Sequence, residues 1–183
     1  MQNLIRELTR LERPALERHF VSLGTEDRRL RFGGPLSDFA LRGYVARIDF
    51  ERDALFGLCD DELHLLGAAH LGRVNGHAEL GISVLEGHRN RGIGGALLAR
   101  AHLRARNWGV RALFVHCLTE NSAMMRLARR NGMSIQTQYG ETDAWLKLPP
   151  ADAATHFGEV FAQRAALFDY ALKRGRAWLS PGK

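Results

Sequence analysis

Hydrophobic and polar positions alternate loosely over residues 2 to 9, which predicts an opening strand, and the pattern then lengthens to helical spacing. Leu11-Glu12-Arg13-Pro14 begins a helix running to about Leu23, with Pro14 accommodated in its first turn and Gly24 ending it. Thr25-Glu26-Asp27 caps a short helix through Leu30, and Gly33-Gly34-Pro35 breaks the chain. Ser37 or Asp38 caps a third helix, whose apolar contacts are Phe39, Leu41, Tyr44, Val45 and Ile48. Ala54 to Cys59 and Leu63 to Val74 read as strands joined by the polar turn Asp60-Asp61-Glu62, and Asn75-Gly76 is a hairpin signal leading into a strand from His77 to Leu85. Leu97, Leu98, Ala101, Ala105 and Trp108 then share one face of a helix closed by Gly109, with Arg100, Arg104 and Arg106 beside or opposite it. Arg111 to Leu118 is an apolar strand, Asn121-Ser122 opens a short helix stopped by Gly132, and Met133 to Tyr139 pairs with Thr142 to Leu148. Beyond Pro149-Pro150, Phe157, Val160, Phe161, Ala165, Phe168 and Leu172 recur on one face of a last helix between Ala151 and Trp178.

The junction between the His77–Leu85 strand and its helix carries the chemistry. Its turn holds His88, Arg89, Asn90 and Arg91, followed by Gly92-Ile93-Gly94-Gly95 and Ala96. The first N–H groups of a helix have no partner within it and lie at the positive end of its dipole, so a glycine-rich helix start flanked by arginines suits a phosphate or pyrophosphate. Gly87 and Gly92 have the spacing of a nucleotide-triphosphate loop, but Ile93-Gly94 stands where that loop needs Lys-Ser/Thr. The dinucleotide fingerprint fails as well, because Leu97 occupies the place of its third glycine.

Bulk properties narrow the setting. A chain of 183 residues suits one self-sufficient core. Cys59 and Cys117 both fall in apolar strand-like runs and read as reduced, buried thiols. No apolar run approaches the roughly 20 residues of a membrane span, and the N-terminus lacks a signal-peptide core, so the expectation is a cytoplasmic protein without membrane partners. The net charge of +6 permits nucleic-acid association but does not require it: the arginines are dispersed, without an aromatic-interleaved basic block. The eight histidines form no ligand spacing, and no metal is expected.

Arg89-x-x-Gly92-x-Gly94 after a strand resembles the coenzyme A pyrophosphate loop of the GNAT superfamily of acyltransferases. Asn121-x-Ala123-x-x-x-Leu127-x-x-x-x-Gly132-Met133 resembles that family's second motif, at the expected separation. The resemblance implies an α/β fold of the α+β type with a mixed sheet, spanning a GNAT domain at 1–149, with a C-terminal helical extension at 150–183. Arg31-Phe32-Gly33-Gly34-Pro35, Tyr44-Val45 and Ile48-Asp49 are most similar to the GNAT domains of bacterial protein-lysine acetyltransferases. The extension is expected to pack on the domain or on a second subunit of a homodimer, or to act as a lid.

The same resemblance implies acetyl-CoA as acyl donor and direct transfer to a primary amine, a protein lysine or a small molecule, without a metal. It places the pantetheine arm along Ile82, Ser83 and Val84, the pyrophosphate on Arg89, Asn90, Arg91, Gly92, Ile93, Gly94, Gly95 and Ala96, and further coenzyme contacts at Asn121 and Met124. Glu79, in Ala78-Glu79-Leu80, matches the family's catalytic glutamate. An ammonium with a pKa of about 10.4 must lose a proton before attack, and partial desolvation in a strand would make Glu79 a better base. The alternative is a solvated Glu79 or one paired with an arginine. Ala128 falls where many members carry a tyrosine that protonates the leaving thiolate, with Tyr139 and Ser122 as substitutes to consider. That departure keeps open a second reading, an acyl-CoA-binding sensor without turnover.

Overall fold

The computed structural model describes residues 3–179, so residue 2 of the expected opening strand and residues 180–183 of the extension lie outside the described residues. The elements follow the expected order: β1 (Arg6–Leu8), α1 (Arg13–Val21), α2 (Thr25–Phe32), α3 (Asp38–Arg47), β2 (Ala54–Cys59), β3 (Leu65–Val74), β4 (His77–Val84), α4 (Ile93–Asn107), β5 (Ala112–Leu118), α5 (Ser122–Arg130), β6 (Ser134–Gln138), β7 (Glu141–Lys147) and α6 (Ala153–Leu179). Local chemistry fixes many of the boundaries. Thr9 and Glu12 form a capping box before α1, Ser37 caps α3 by accepting from the Ala40 N–H, and Gly33 ends α2 with a φ of 78°.

The seven strands form one mixed sheet in the order β1-β2-β3-β4-β5-β7-β6, antiparallel throughout except for β4 against β5. Alternation along the strands sends side chains to two cores. On one face Phe56, Leu71, Leu80, Leu113 and Val115 pack with Leu97, Leu98 and Ala101 of α4 and with Met125 and Ala128 of α5. On the other, Leu55, Leu65 and Ala68 pack with Leu16 and Phe20 of α1 and with Leu41 and Val45 of α3. β2 is buried along almost its whole length because both layers cover it, although Cys59 at its end is only half-buried and not enclosed as expected; Cys117 is buried, and both thiols are free.

The extension differs from expectation in its orientation. The predicted apolar stripe is not the packing face: Phe157, Phe161 and Phe168 are 76%, 76% and 69% exposed. α6 docks on α4 and β1 through its polar side. Glu159 accepts from Arg100 at 2.9 Å, from Asn107 at 2.6 Å and from Arg104, while Gln163 accepts from the Glu7 N–H at 3.2 Å and Tyr170 lies 4.0 Å from the Arg6 guanidinium. Arg100, expected beside or opposite the apolar face of its helix, is therefore buried under α6.

Candidate functional site

The site begins where the sheet opens. β4 and β5 pair over only three residues, His77 with Ala112, Ala78 with Leu113 and Glu79 with Phe114. Beyond Glu79 the strands diverge, while β4 stays paired with β3 as far as Val84. The divergence leaves a cavity of about 370 Å³ lined by Ile82, Ser83 and Val84 of β4, Leu30 and Arg31 of α2, His88 to Asn90 and Gly92 to Gly94 of the turn, and the first turns of α5. Half-exposed backbone of a strand interior is thus available to a ligand that can accept and donate amide hydrogen bonds.

At the mouth of the cavity the turn takes the shape its residues allow. Asn90 and Gly92 both have positive φ, 60° and 78°, and the Gly92 backbone starts α4 without any side-chain cap. The first-turn N–H groups of Ile93, Gly94 and Gly95 consequently have no capping acceptor, and there is no acidic residue in that turn. Helix α4 starts earlier than its apolar spacing alone signals, at Ile93, which is itself buried against Gly67. A side chain at 67 would come within 2.8 Å of Ile93, so the glycine lets the helix start sit directly on β3. Arg91 and Asn90 are exposed, and the Arg91 carbonyl accepts from Asn3 at 2.9 Å. Arg89 is committed elsewhere: it pairs with Asp27 at 2.5 Å and donates to the Val84 carbonyl at 3.2 Å. The uncapped helix start and Arg91, rather than Arg89, form the open anion site.

At the other end stands Glu79, on the last pair of the parallel ladder and outside the lining of the cavity. It is exposed, so the desolvation expected of a strand carboxylate is not present. Beside it His70, the cross-strand neighbour of Gly81, donates through Nε2 to Asp53 at 2.9 Å and accepts through Nδ1 from Tyr44 at 2.5 Å. Burial lowers the basicity of His70, partly opposed by the Asp53 hydrogen bond and the nearby Glu79 charge. His19 of α1 is buried against Ser83 and the Leu65 carbonyl, and desolvation lowers its pKa to about 4. Between these two histidines lies Arg31, stacked on Gly81. Spacing did not point to His19, His70 or Arg31; only the Arg31-Phe32-Gly33-Gly34-Pro35 motif lay in view.

α5 closes the far wall. Asn121 caps it, accepting from the Met124 N–H at 3.0 Å, and its amide donates to the Leu30 carbonyl at 3.2 Å, so one end of the side chain caps α5 and the other ties it to α2. Met124 lines the cavity from the core side. Ala128 is 1% exposed and packs in the core, whereas Ser122 lines the cavity and Tyr139, 94% exposed, does not. Among the described residues, Asp60, Glu62 and His64 place three potential metal ligands within 4.8 Å of one another, in the exposed β2–β3 turn. There Asp60 accepts from the backbone of Glu62 and His64, which accounts for the grouping as turn chemistry.

The family model described as Acetyltransferase (GNAT) family covers residues 15–133. The chain belongs to the GNAT acetyltransferase family. GNAT structures share its fold: the GNAT domain of S. lividans PAT aligns with a TM-score of 0.69 at 19% identity, covering 79% of this chain and 89% of that one. The ribosomal-protein-alanine N-acetyltransferase of Brucella melitensis gives 0.60 at 19% identity over 79% of this chain and 99% of its own. The phosphinothricin acetyltransferase of Sinorhizobium meliloti, solved with acetyl-CoA, gives 0.63 at 17% over 84% and 95%. No protein of curated function matches this sequence. As a GNAT acetyltransferase the chain takes acetyl-CoA as its acyl donor, and the cavity, with backbone along one wall and an uncapped helix start at its mouth, fits that molecule's amide arm and pyrophosphate. Among the described residues no helix is long and apolar enough to cross a membrane.

Proposed function

We propose that this chain is an acetyl-CoA-dependent N-acetyltransferase that moves the acetyl group directly to a primary amine, of a small molecule or a protein lysine, with residues 1–149 as the catalytic domain and 150–183 as a helical extension. The observation that carries this reading is the succession, along one strand and into the helix after it, of an exposed carboxylate at Glu79, the stretch Ile82 to Val84 whose β5-side edge is unpaired, and the uncapped start of α4. The donor supplies an activated thioester. Gly92 to Ala96, with Arg91 and Asn90, hold its pyrophosphate; Ile82, Ser83 and Val84 present backbone to its arm, and a backbone N–H there faces the oxygen on which charge develops. Met124 and Ile93 supply apolar wall, Asn121 fixes α5 at the correct distance, and Arg89 braces the turn against Asp27.

Glu79 takes the proton from the incoming ammonium, directly or through water, its exposure suiting it to hand that proton to solvent. Ser122, which lines the cavity, is the hydroxyl available to protonate the leaving thiolate, and a thiol of pKa about 8.5 can also depart unprotonated. The free thiols fit a cytoplasmic setting, and the exposed phenylalanines of α6 offer a surface for a homodimer.

The buried Ala128 favours one second reading, a sensor that binds acyl-CoA without turnover. Thiol release from acetyl-CoA against a panel of amines and lysine peptides decides between them. Enzyme activity that falls at least about tenfold in Glu79→Gln, about 1.4 kcal/mol of barrier, with unchanged acetyl-CoA affinity, supports the enzyme. Tight acetyl-CoA binding without release from any acceptor supports the sensor.

A further inference from the structure

Arg31 is unlike the arginines around it. On the same helix Arg28 donates to the carbonyls of Leu23 and Leu36 and to Asp38, and Arg29 pairs with Glu26 and Glu120. Arg100, buried under α6, has Glu159. Arg31 has no ion pair and no hydrogen bond among the described residues, and its Nε is buried without a partner. Its guanidinium lies flat on β4: a Cβ at Gly81 would stand 2.2 Å from its Cζ and Nη2 and 2.4 Å from Nη1. The Phe32 ring, 4.8 Å away, and the Phe20 ring, 6.0 Å away, flank it. A half-buried cation without a counter-charge is unfavourable to maintain, and the cavity it lines leaves room for an anion.

Its position on the strand says which anion. Gly81 lies between Glu79 and Ser83 on one face, each about 7 Å along the strand. The pyrophosphate site is at the opposite end of the cavity, at Gly92 to Gly95, and the arm that runs from it along Ile82 to Val84 is uncharged. No group of the donor brings a permanent negative charge to Gly81. Ser83 is occupied by His19; of the two carboxylates on this face, Asp53 is engaged by His70 and Glu79 does not reach Arg31. The missing charge therefore comes with the other substrate.

We infer that Arg31 is the acceptor's anion receptor, so that the amine acetylated at this site is a small molecule carrying a carboxylate of the amino-acid type, held by the guanidinium while its amine faces Glu79. This rests on the N-acetyltransferase reading above and narrows its acceptor. The planar fork of an arginine matches a carboxylate with two parallel hydrogen bonds, which a neutral amide cannot replace, so the site selects by the loss of its own counter-charge. A lysine side chain in a peptide does not by itself bring such a group.

The test is steady-state thiol release at saturating acetyl-CoA with L-methionine, L-phenylalanine, L-glutamate and L-lysine, each beside its carboxamide and compared per unit of neutral amine. Wild type, Arg31→Met and Arg31→Lys are assayed. The wild type favours at least one free acid, and Arg31→Met raises its KM by about 30-fold or more, the size of a truncated buried charge pair. KM for the carboxamide and for acetyl-CoA stays within about threefold, and Arg31→Lys, which keeps charge but loses the fork, falls between. Arg31→Met is expected to fold with an equal or higher Tm, since it removes an unpaired charge. A loss equal for acid and amide, or one confined to kcat, overturns the inference by placing Arg31 on the reacting carbonyl; so does a preference for lysine peptides that lack a nearby carboxylate. Thiol release from no amine defeats the transferase reading instead. Titration calorimetry of the same amino acids in the presence of coenzyme A then decides separately: binding lost in Arg31→Met sustains the carboxylate site, and no binding to wild type removes it.

Discussion

Ser83 donates its hydroxyl proton to Nε2 of His19, 2.8 Å away, because the other ring nitrogen, Nδ1, is already donating to the Leu65 carbonyl at 2.9 Å. The ring is thus a neutral imidazole with both nitrogens used, and it ties α1 to β3 and β4 directly behind the strand that borders the cavity.

That arrangement makes folding pH-dependent. Desolvation holds His19 near a pKa of about 4, below its ordinary 6.5, so on acidification the unfolded chain binds a proton first. The contribution is complete above pH 6.5 and is lost between 6.5 and about 4, amounting to about 3 kcal/mol for a shift of this size. Burial displaces His70 in the same direction and adds to the trend. Urea midpoints at pH 7.5, 5.5 and 4.5 should fall progressively, and His19→Gln should flatten the dependence; a midpoint constant to pH 4.5 would refute the neutral pairing.

The turn's two arginines should differ. Arg91 is exposed beside the uncapped helix start, while Arg89 is neutralised by Asp27. Arg91→Glu should weaken acetyl-CoA binding by about 10- to 100-fold, with a loss that shrinks as salt is raised, whereas Arg89→Gln should cost less affinity. Calorimetry at low and high ionic strength checks both.

Gly67 sets the seat of α4. In Gly67→Ala the new methyl meets Ile93 at 2.8 Å and Leu97 and the Ser83 carbonyl at 3.3 Å. A loss of about 1–3 kcal/mol is expected, lowering Tm by roughly 2–4 °C for each. Acetyl-CoA affinity should fall with it, because the displaced first turn is the anion site; a stability loss with unchanged affinity would separate the two.

Among the contacts that hold α6 is one carboxylate shared between two arginines. Glu159→Ala leaves the Arg100 side chain, 4% exposed, with an uncompensated charge, whereas Arg104 keeps Glu7. About 3–5 kcal/mol should be lost, and limited tryptic digestion should cut within α6 before it cuts the rest of the chain. Equal resistance in mutant and wild type would mean that the helix is held by other contacts.

Much of this architecture is legible in the residues. Asn75-Gly76, the glycine-rich turn and the Asn121 cap each dictate a local geometry that the fold uses, and strand alternation assigns Leu80 and Ser83 to opposite faces. What sequence could not supply is pairing between distant charges. Arg28, Arg29 and Arg31 look equivalent on paper, yet only the fold shows that two find carboxylates and one does not. Arg100 sits among surface-like arginines on α4 until Glu159, 59 positions later, covers it. The exposed state of Glu79 likewise depends on the tertiary packing around β4, and α6 reversed the face that its apolar stripe suggested because ion pairs to α4 outweighed it.

The early end of the β4–β5 ladder at Glu79 also separates the two edges of one strand in time. Successive amides of β4 point alternately toward β3 and away from it, so past the end of the β5 pairing those of Ile82 and Val84 have no strand partner, while their neighbours are locked in an eight-pair ladder. In deuterated solvent the two sets should exchange at very different rates along a single five-residue segment, and a ligand lying in the gap would slow only the faster set. The strand thus carries its own reporter of occupancy, readable residue by residue without any catalytic turnover.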